Sequence, residues 1–184
     1  DIRAGHQVTA VHQRDDGLVL TCKSAQGETE IVCDKVLVAV GRRARTEGMG
    51  LEALGIARDG RIEVDEKLQT AVPTVYACGD AIGGYQLTHA ASHEAWHATV
   101  NALFGAFKTF SVDYSKLPWC TFTDPQVAHV GHNEDSARAE SIDYEVTRYD
   151  LAELDRAIAE SATHGMGKVL TVPGKDTILG ATIV

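Results

Sequence analysis

Three clusters carry side chains whose types and spacing suit chemistry. In the first, Thr70 precedes Val75-Tyr76-Ala77-Cys78-Gly79-Asp80, which reads as a buried strand closed by a Gly-Asp turn. Gly79 lets a ligand approach the backbone. Asp80 offers a carboxylate at the strand's C-terminal edge, where open α/β sheets bind ligands. The Gly83-Gly84 turn follows, and then a helix starting near Thr88. Such a helix points free N–H groups and the positive end of its dipole at a nearby anion or carbonyl. A Gly-Asp turn with nothing bound is the plain alternative. The second cluster, His93-Glu94-Ala95-Trp96-His97, matches HExxH, in which two His on one helix face hold zinc and the Glu acts as base. His89 extends that face by one turn. A third ligand would have to come from His129 or His132, in another unit, and a helix surface without metal is the plainer reading. The third cluster is Gly41-Arg42-Arg43, paired arginines after a strand, which hold a phosphate or simply solvate a strand end. Gly48-Met49-Gly50 and Gly83-Gly84 lack the spacing and the strand-to-helix context of a phosphate loop.

The elements that must position these residues fall into two styles. Gln7 to Val11, Leu18 to Lys23 and Glu28 to Cys33 are β-rich runs separated by turns, the pattern of an antiparallel meander. Val36-Leu37-Val38-Ala39-Val40 is a continuous apolar run, expected as a strand buried on both faces. Thr74 to Cys78 is expected as a second buried strand. Leu51 to Leu54 suggests one helical turn, and Ile62-Glu63-Val64 a short strand. A long helix is expected from Thr88 to Phe104, with Thr88 as its N-cap. Tyr114 to Pro125 reads as a linker into a second unit. There the order is a strand at Val127 to Val130, a helix from Asn133 to Ala139 capped by Asn133, and a strand at Tyr144 to Tyr149. A short helix at Leu154 to Glu160 and strands at Val169 to Val172 and Ile178 to Val184 complete it. That order predicts an α+β layer with helices on one face of a largely antiparallel sheet.

The chain has 184 residues, 44% of them hydrophobic, and a net charge of −9. This acidity argues against nucleic acid and anionic membrane surfaces as partners, since both call for surplus positive charge. No apolar run approaches the roughly 18 residues of a membrane span. Cys22, Cys33, Cys78 and Cys120 are scattered, without a CxxC, and read as small apolar residues of a protein in a reducing, cytoplasmic compartment. The start at Asp1 without Met and the strand-like run up to Val184 both read as cuts from something larger.

Taken in order, these segments resemble the pyridine nucleotide-disulfide oxidoreductases, whose members include dihydrolipoamide dehydrogenase, glutathione reductase and mercuric reductase. The resemblance runs through Val36 to Arg43, Thr70 with Val75 to Asp80, and Leu87-Thr88-His89-Ala90-Ala91. It continues through Leu117-Pro118-Trp119-Cys120-Thr121-Phe122-Thr123-Asp124-Pro125 to Ile178-Leu179-Gly180-Ala181-Thr182. Val130-Gly131 with Asn133-Glu134, and Asp155-Arg156-Ala157-Ile158, look most like the mercuric-reductase-like branch.

The resemblance implies a partial α/β FAD/NAD(P)-binding segment followed by an α+β dimerisation domain. Residues 1–40 would be the tail of the NAD(P)-binding domain, 41–112 the returning part of the FAD-binding domain, and 113–184 a truncated dimerisation domain. It implies FAD and NAD(P)H as cofactors of the parent protein and a homodimer as its assembly. Asp80 would hydrogen-bond the ribityl chain of FAD, Gly79 would let the cofactor approach the backbone beside it, and Leu87, Thr88, His89 and Ala90 would face the pyrimidine ring. No residue of this chain takes a catalytic or metal-binding role under this reading. The first GxGxxG, the CxxxxC disulfide, the NAD(P) fingerprint and the C-terminal His-Glu pair of the family have no counterpart here. Ala44-Arg45 stands where Pro-Asn is usual. The chain alone is therefore expected to be inactive and to purify without flavin. A stand-alone dimerisation or assembly module is the alternative.

Overall fold

The structure, a computed structural model, describes residues 1–15 and 17–184. It divides into two compact units, Asp1–Arg42 and Arg43–Val184.

The first unit is a three-stranded antiparallel meander, β1 (Gln7–Arg14), β2 (Gly17–Ser24) and β3 (Gly27–Cys33), in sequential order. The β2–β3 register, Leu18 opposite Cys33 and Ser24 opposite Gly27, leaves a two-residue turn at Ala25-Gln26. Gly27 sits at a positive φ of 118°, which a residue with a side chain rarely adopts. Central β2 contributes the buried Val19 and Cys22. Arg14 donates to both oxygens of Glu30 at 2.9 and 2.7 Å, a fork-like pair on the outside of the meander.

The run Val36 to Val40, expected as a buried strand, is not one. It has no regular structure, and Leu37 and Val40 are each 91% exposed. A strand exists only where a neighbour pairs with its backbone, and the described residues supply no such neighbour to this run.

In the second unit, β4 (Ala57–Arg58) and β5 (Arg61–Ile62) form a small hairpin. Leu51 to Leu54 forms tight turns rather than a helical turn, with amides bonding back three residues. Thr74 to Cys78 is likewise not a regular strand. It forms one isolated bridge, Gln69 to Tyr76, and is tied locally by Thr70 N–H to the Val75 carbonyl and Ala77 N–H to the Leu68 carbonyl. The Thr70 hydroxyl donates to the Val75 carbonyl and accepts from the Val72 amide, so the segment folds back on itself instead of extending.

The long helix α1 spans Thr88–Phe104, as its pattern predicts. Its N-cap is Leu87, however, which is extended and offers no side-chain oxygen, and Thr88 is already inside the helix. The first amides of α1 therefore receive no side-chain cap. Asn101, buried near the other end, accepts from the Phe110 amide and donates to the Phe110 and Lys67 carbonyls, pinning the exit of the helix.

Beyond it lies a five-stranded, wholly antiparallel sheet. Its strands are β6 (Trp119–Thr121), β7 (Val127–Gly131), β8 (Glu145–Asp150), β9 (Met166–Thr171) and β10 (Ile178–Ile183). The spatial order is β6-β7-β10-β9-β8. Two short helices, α2 (Glu134–Ala139) and α3 (Asp155–Ala159), complete the α+β layer. Asn133 caps α2 through a reciprocal bond with Ser136. Glu134 ties α2 to the sheet through Lys168 on β9 and Arg148 on β8. Gly180 on β10 faces Gly131 on β7, because a Cβ at either position would run into the opposing backbone.

Candidate functional site

The Gly79–Ile82 segment is a single 3-10 turn packed against α1. Gly79 adopts φ +71°, in the left-handed region, and a Cβ there would lie 3.2 Å from the Ala91 methyl. Only glycine meets both conditions without strain. The Gly79 amide donates to Glu94 Oε2 at 2.6 Å, and the other Glu94 oxygen accepts from the Tyr114 hydroxyl at 2.9 Å. Asp80 follows directly and is exposed. The turn ends with the Gly83 amide donating to the Asp80 carbonyl, and Gly83 and Gly84 both take positive φ.

At the helix start, Leu87 is half-buried, Thr88 and His89 are exposed, and Ala90 is fully buried. The buried positions Ala90, Glu94, His97, Ala98 and Asn101 recur at helical spacing and form the inward stripe of α1. That stripe puts Glu94 inside, with its carboxylate on Gly79 and Tyr114 instead of in solvent beside the two His. His97 is also buried, its Nδ1 against the His93 carbonyl, and its ring meets that of His93 edge-on at 4.5 Å. The HExxH spacing is thus absorbed by the packing of a helix. Among the described residues no group of three or more His, Cys, Asp or Glu is arranged to hold a metal ion.

The charge on Glu94 acts on its neighbours. Burial first, and then Glu94, push the Cys78 thiol above its usual range, so it stays protonated at neutral pH. Burial first, then the hydrogen bond to Glu94, raise the Tyr114 hydroxyl far above the usual tyrosine range, so it remains a donor. Tyr114 also stacks at 5.2 Å on Tyr85, beside the Gly83-Gly84 turn. All four cysteines are free. Arg43 pairs with Glu47 at 3.4 Å, and Arg42 is exposed.

An open, largely apolar cleft of about 670 Å³ lies along the outer face of α1, lined by His89, His93, Leu117, Pro118, Trp119 and Cys120 among others. Two of its lining residues touch, His89 Nε2 lying 2.5 Å from the Pro118 carbonyl. Sequence reasoning missed Glu94 and Tyr114 as supports of the turn. The signal was present, because Glu94 falls on the Ala90-Ala98-Asn101 stripe, where an acid must find donors.

Residues 1–95 match the family described as pyridine nucleotide-disulphide oxidoreductase, and residues 117–184 match its dimerisation domain. The chain belongs to this family. Its fold joins part of the family's nucleotide-binding region to the antiparallel dimerisation sheet. Among curated relatives, mitochondrial dihydrolipoyl dehydrogenase of Cricetulus griseus is 37% identical over 183 residues, covering 97% of this chain and 35% of the relative. Dihydrolipoyl dehydrogenase of Staphylococcus aureus is 36% identical over 177 residues, covering 95% and 37% respectively. The chain thus spans about a third of the length of these relatives. Among solved structures, LpdA from Mycobacterium tuberculosis superposes with a TM-score of 0.83 at 23% identity, covering 97% of this chain and 38% of that one, a likeness of fold. The HOCl-induced flavoprotein disulfide reductase RclA from Escherichia coli gives 0.77 at 25% identity, covering 96% and 40%. Among the described residues no helix is long and apolar enough to cross a membrane.

Proposed function

We propose that the complete protein is an FAD-dependent oxidoreductase of the dihydrolipoyl dehydrogenase type, and that this chain contributes a flavin half-site and a dimerisation sheet. FAD would supply the electron carrier between NAD(P)H and a disulfide acceptor. A disulfide is preferred over a metal ion because the curated relatives named above are dihydrolipoyl dehydrogenases.

The residues fit that cofactor. The observation that carries the reading is the pinned Gly79 turn, which presents an exposed Asp80 carboxylate beside a helix with no side-chain cap. A carboxylate on a rigid turn suits the hydroxyls of a ribityl chain, which donate. The amides of Thr88, His89 and Ala90, after Leu87, suit a ring carbonyl that gains negative charge. In this reading residues 1–40 end the NAD(P)-binding domain, 41–112 return to the FAD-binding domain, and 113–184 dimerise. The matched dimerisation segment supports a homodimer, as do the exposed apolar side chains on its sheet, among them Val146, Tyr149, Ile178 and Ile183. Four free cysteines support a reducing compartment.

The test is to purify the protein expressed from its complete reading frame and assay it with NADH or NADPH and a disulfide such as lipoamide. A bound flavin that is reduced by the nucleotide and reoxidised by lipoamide supports the reading. A colourless, folded protein overturns it. Sedimentation or light scattering that shows only monomer at high concentration overturns the dimer.

A further inference from the structure

One buried titratable group pins the turn in the reading above without itself facing the cofactor. Glu94 is 1% exposed, and both its oxygens are engaged by neutral donors. One donor is the backbone of Gly79, 15 residues upstream, and the other the hydroxyl of Tyr114, 20 residues downstream. A buried carboxylate is a costly way to hold a helix, because desolvation opposes it and an apolar side chain of similar size packs as well. What a carboxylate does, and an apolar group does not, is accept at two points without presenting a hydrogen to either. The arrangement therefore serves to fix two donors relative to each other.

Resting on the flavin reading, we propose that Glu94 is the positioning residue of the half-site. It holds the Gly79 amide so that Asp80 is presented in one orientation, and it couples that orientation to Tyr114, in the segment that leads into the dimerisation sheet. The coupling has little slack. Gly79 is held at φ +71° against Ala91, so its amide points at Glu94 or the turn changes shape, and Asp80 is the next residue. The Tyr114 hydroxyl donates to the opposite oxygen. Removing the tyrosine hydroxyl leaves one carboxylate oxygen buried without a donor, a change felt at the turn through a single side chain.

The test uses the complete protein, stripped of flavin and titrated with FAD, in the variants Tyr114→Phe, Glu94→Ala, Glu94→Gln and Asp80→Ala. A lost hydrogen bond to a charged group corresponds to about a tenfold change in affinity. Glu94→Ala is expected to weaken FAD binding at least about tenfold, and Tyr114→Phe about threefold or more. Glu94→Gln is expected to recover affinity to within about threefold of wild type, because its oxygen can accept from Gly79 while its amide donates to a rotated Tyr114 hydroxyl. The double variant Glu94→Ala with Asp80→Ala should bind FAD no worse than Asp80→Ala alone, a non-additivity that general destabilisation does not produce. Should Glu94→Ala not fold, Tyr114→Phe combined with Asp80→Ala carries the same cycle. Variants that fold and bind FAD as wild type does, or additive losses with Asp80→Ala, overturn the positioning role alone. A wild-type protein that binds no FAD overturns the functional reading and this inference with it.

Discussion

Replacing Gly79 with alanine tests the central turn, and Gly84→Ala supplies its control. Both glycines are left-handed, at φ +71° and +73°. Each alanine therefore carries the same backbone cost of about 1–2 kcal/mol. They differ in what surrounds them. A Cβ at Gly84 meets nothing within 4 Å, whereas one at Gly79 lies 3.2 Å from the Ala91 methyl, on a helix that cannot yield freely. If the turn relaxes to escape that contact, it gives up the amide bond to buried Glu94, worth about 1.5–3 kcal/mol for a charged acceptor. Gly84→Ala should therefore cost about 1–2 kcal/mol and Gly79→Ala about 2.5–5 kcal/mol, measured as the shift in urea midpoint at unchanged slope. In the complete protein only Gly79→Ala should also weaken FAD binding. Equal losses for the two variants would refute the claim that contact with α1 and Glu94 sets the turn.

Three further outcomes follow from the same geometry. Gly180→Ala drives a methyl into the His132 backbone and should cost about 1–3 kcal/mol in thermal unfolding, whereas Gly167→Ala, on neighbouring β9 with nothing within 4 Å, should be neutral or slightly stabilising. The Glu134 carboxyl lies below its usual range, first because Lys168 donates to it, so its folded pKa is below the unfolded value of about 4.3. Its contribution is present above about pH 4.3 and is lost as pH falls through the lower folded value; Glu134→Gln should cost about 1 kcal/mol at neutral pH and progressively less in acid denaturation. The chain of 184 residues by itself should purify without flavin, and a stoichiometric visible flavin band would contradict that.

Elements with their own punctuation were legible in the sequence. The turn at Gly27 sets the β2–β3 hairpin, and Asn133 with Ser136 marks the start of α2. Apolar runs were harder to read. Val36 to Val40 has the composition of a doubly buried strand, but composition cannot provide a pairing neighbour, and the run stands exposed. Thr70 drew Thr74 to Cys78 into a local fold, because a hydroxyl that satisfies nearby backbone competes with extension. In the candidate site, the turn signal points to Gly79 and Asp80, whereas the spacing from two histidines points to Glu94 as a base. Its burial decides the matter, and burial depends on which face of α1 the turn and Tyr114 cover.

The most direct test of the flavin half-site is FAD titration of the complete protein against its Asp80→Ala variant. A wild type that binds FAD stoichiometrically, with the variant at least about tenfold weaker but equally stable without flavin, is the predicted result. Equal affinity in the two proteins would contradict the assignment of the Gly79–Asp80 turn to the cofactor.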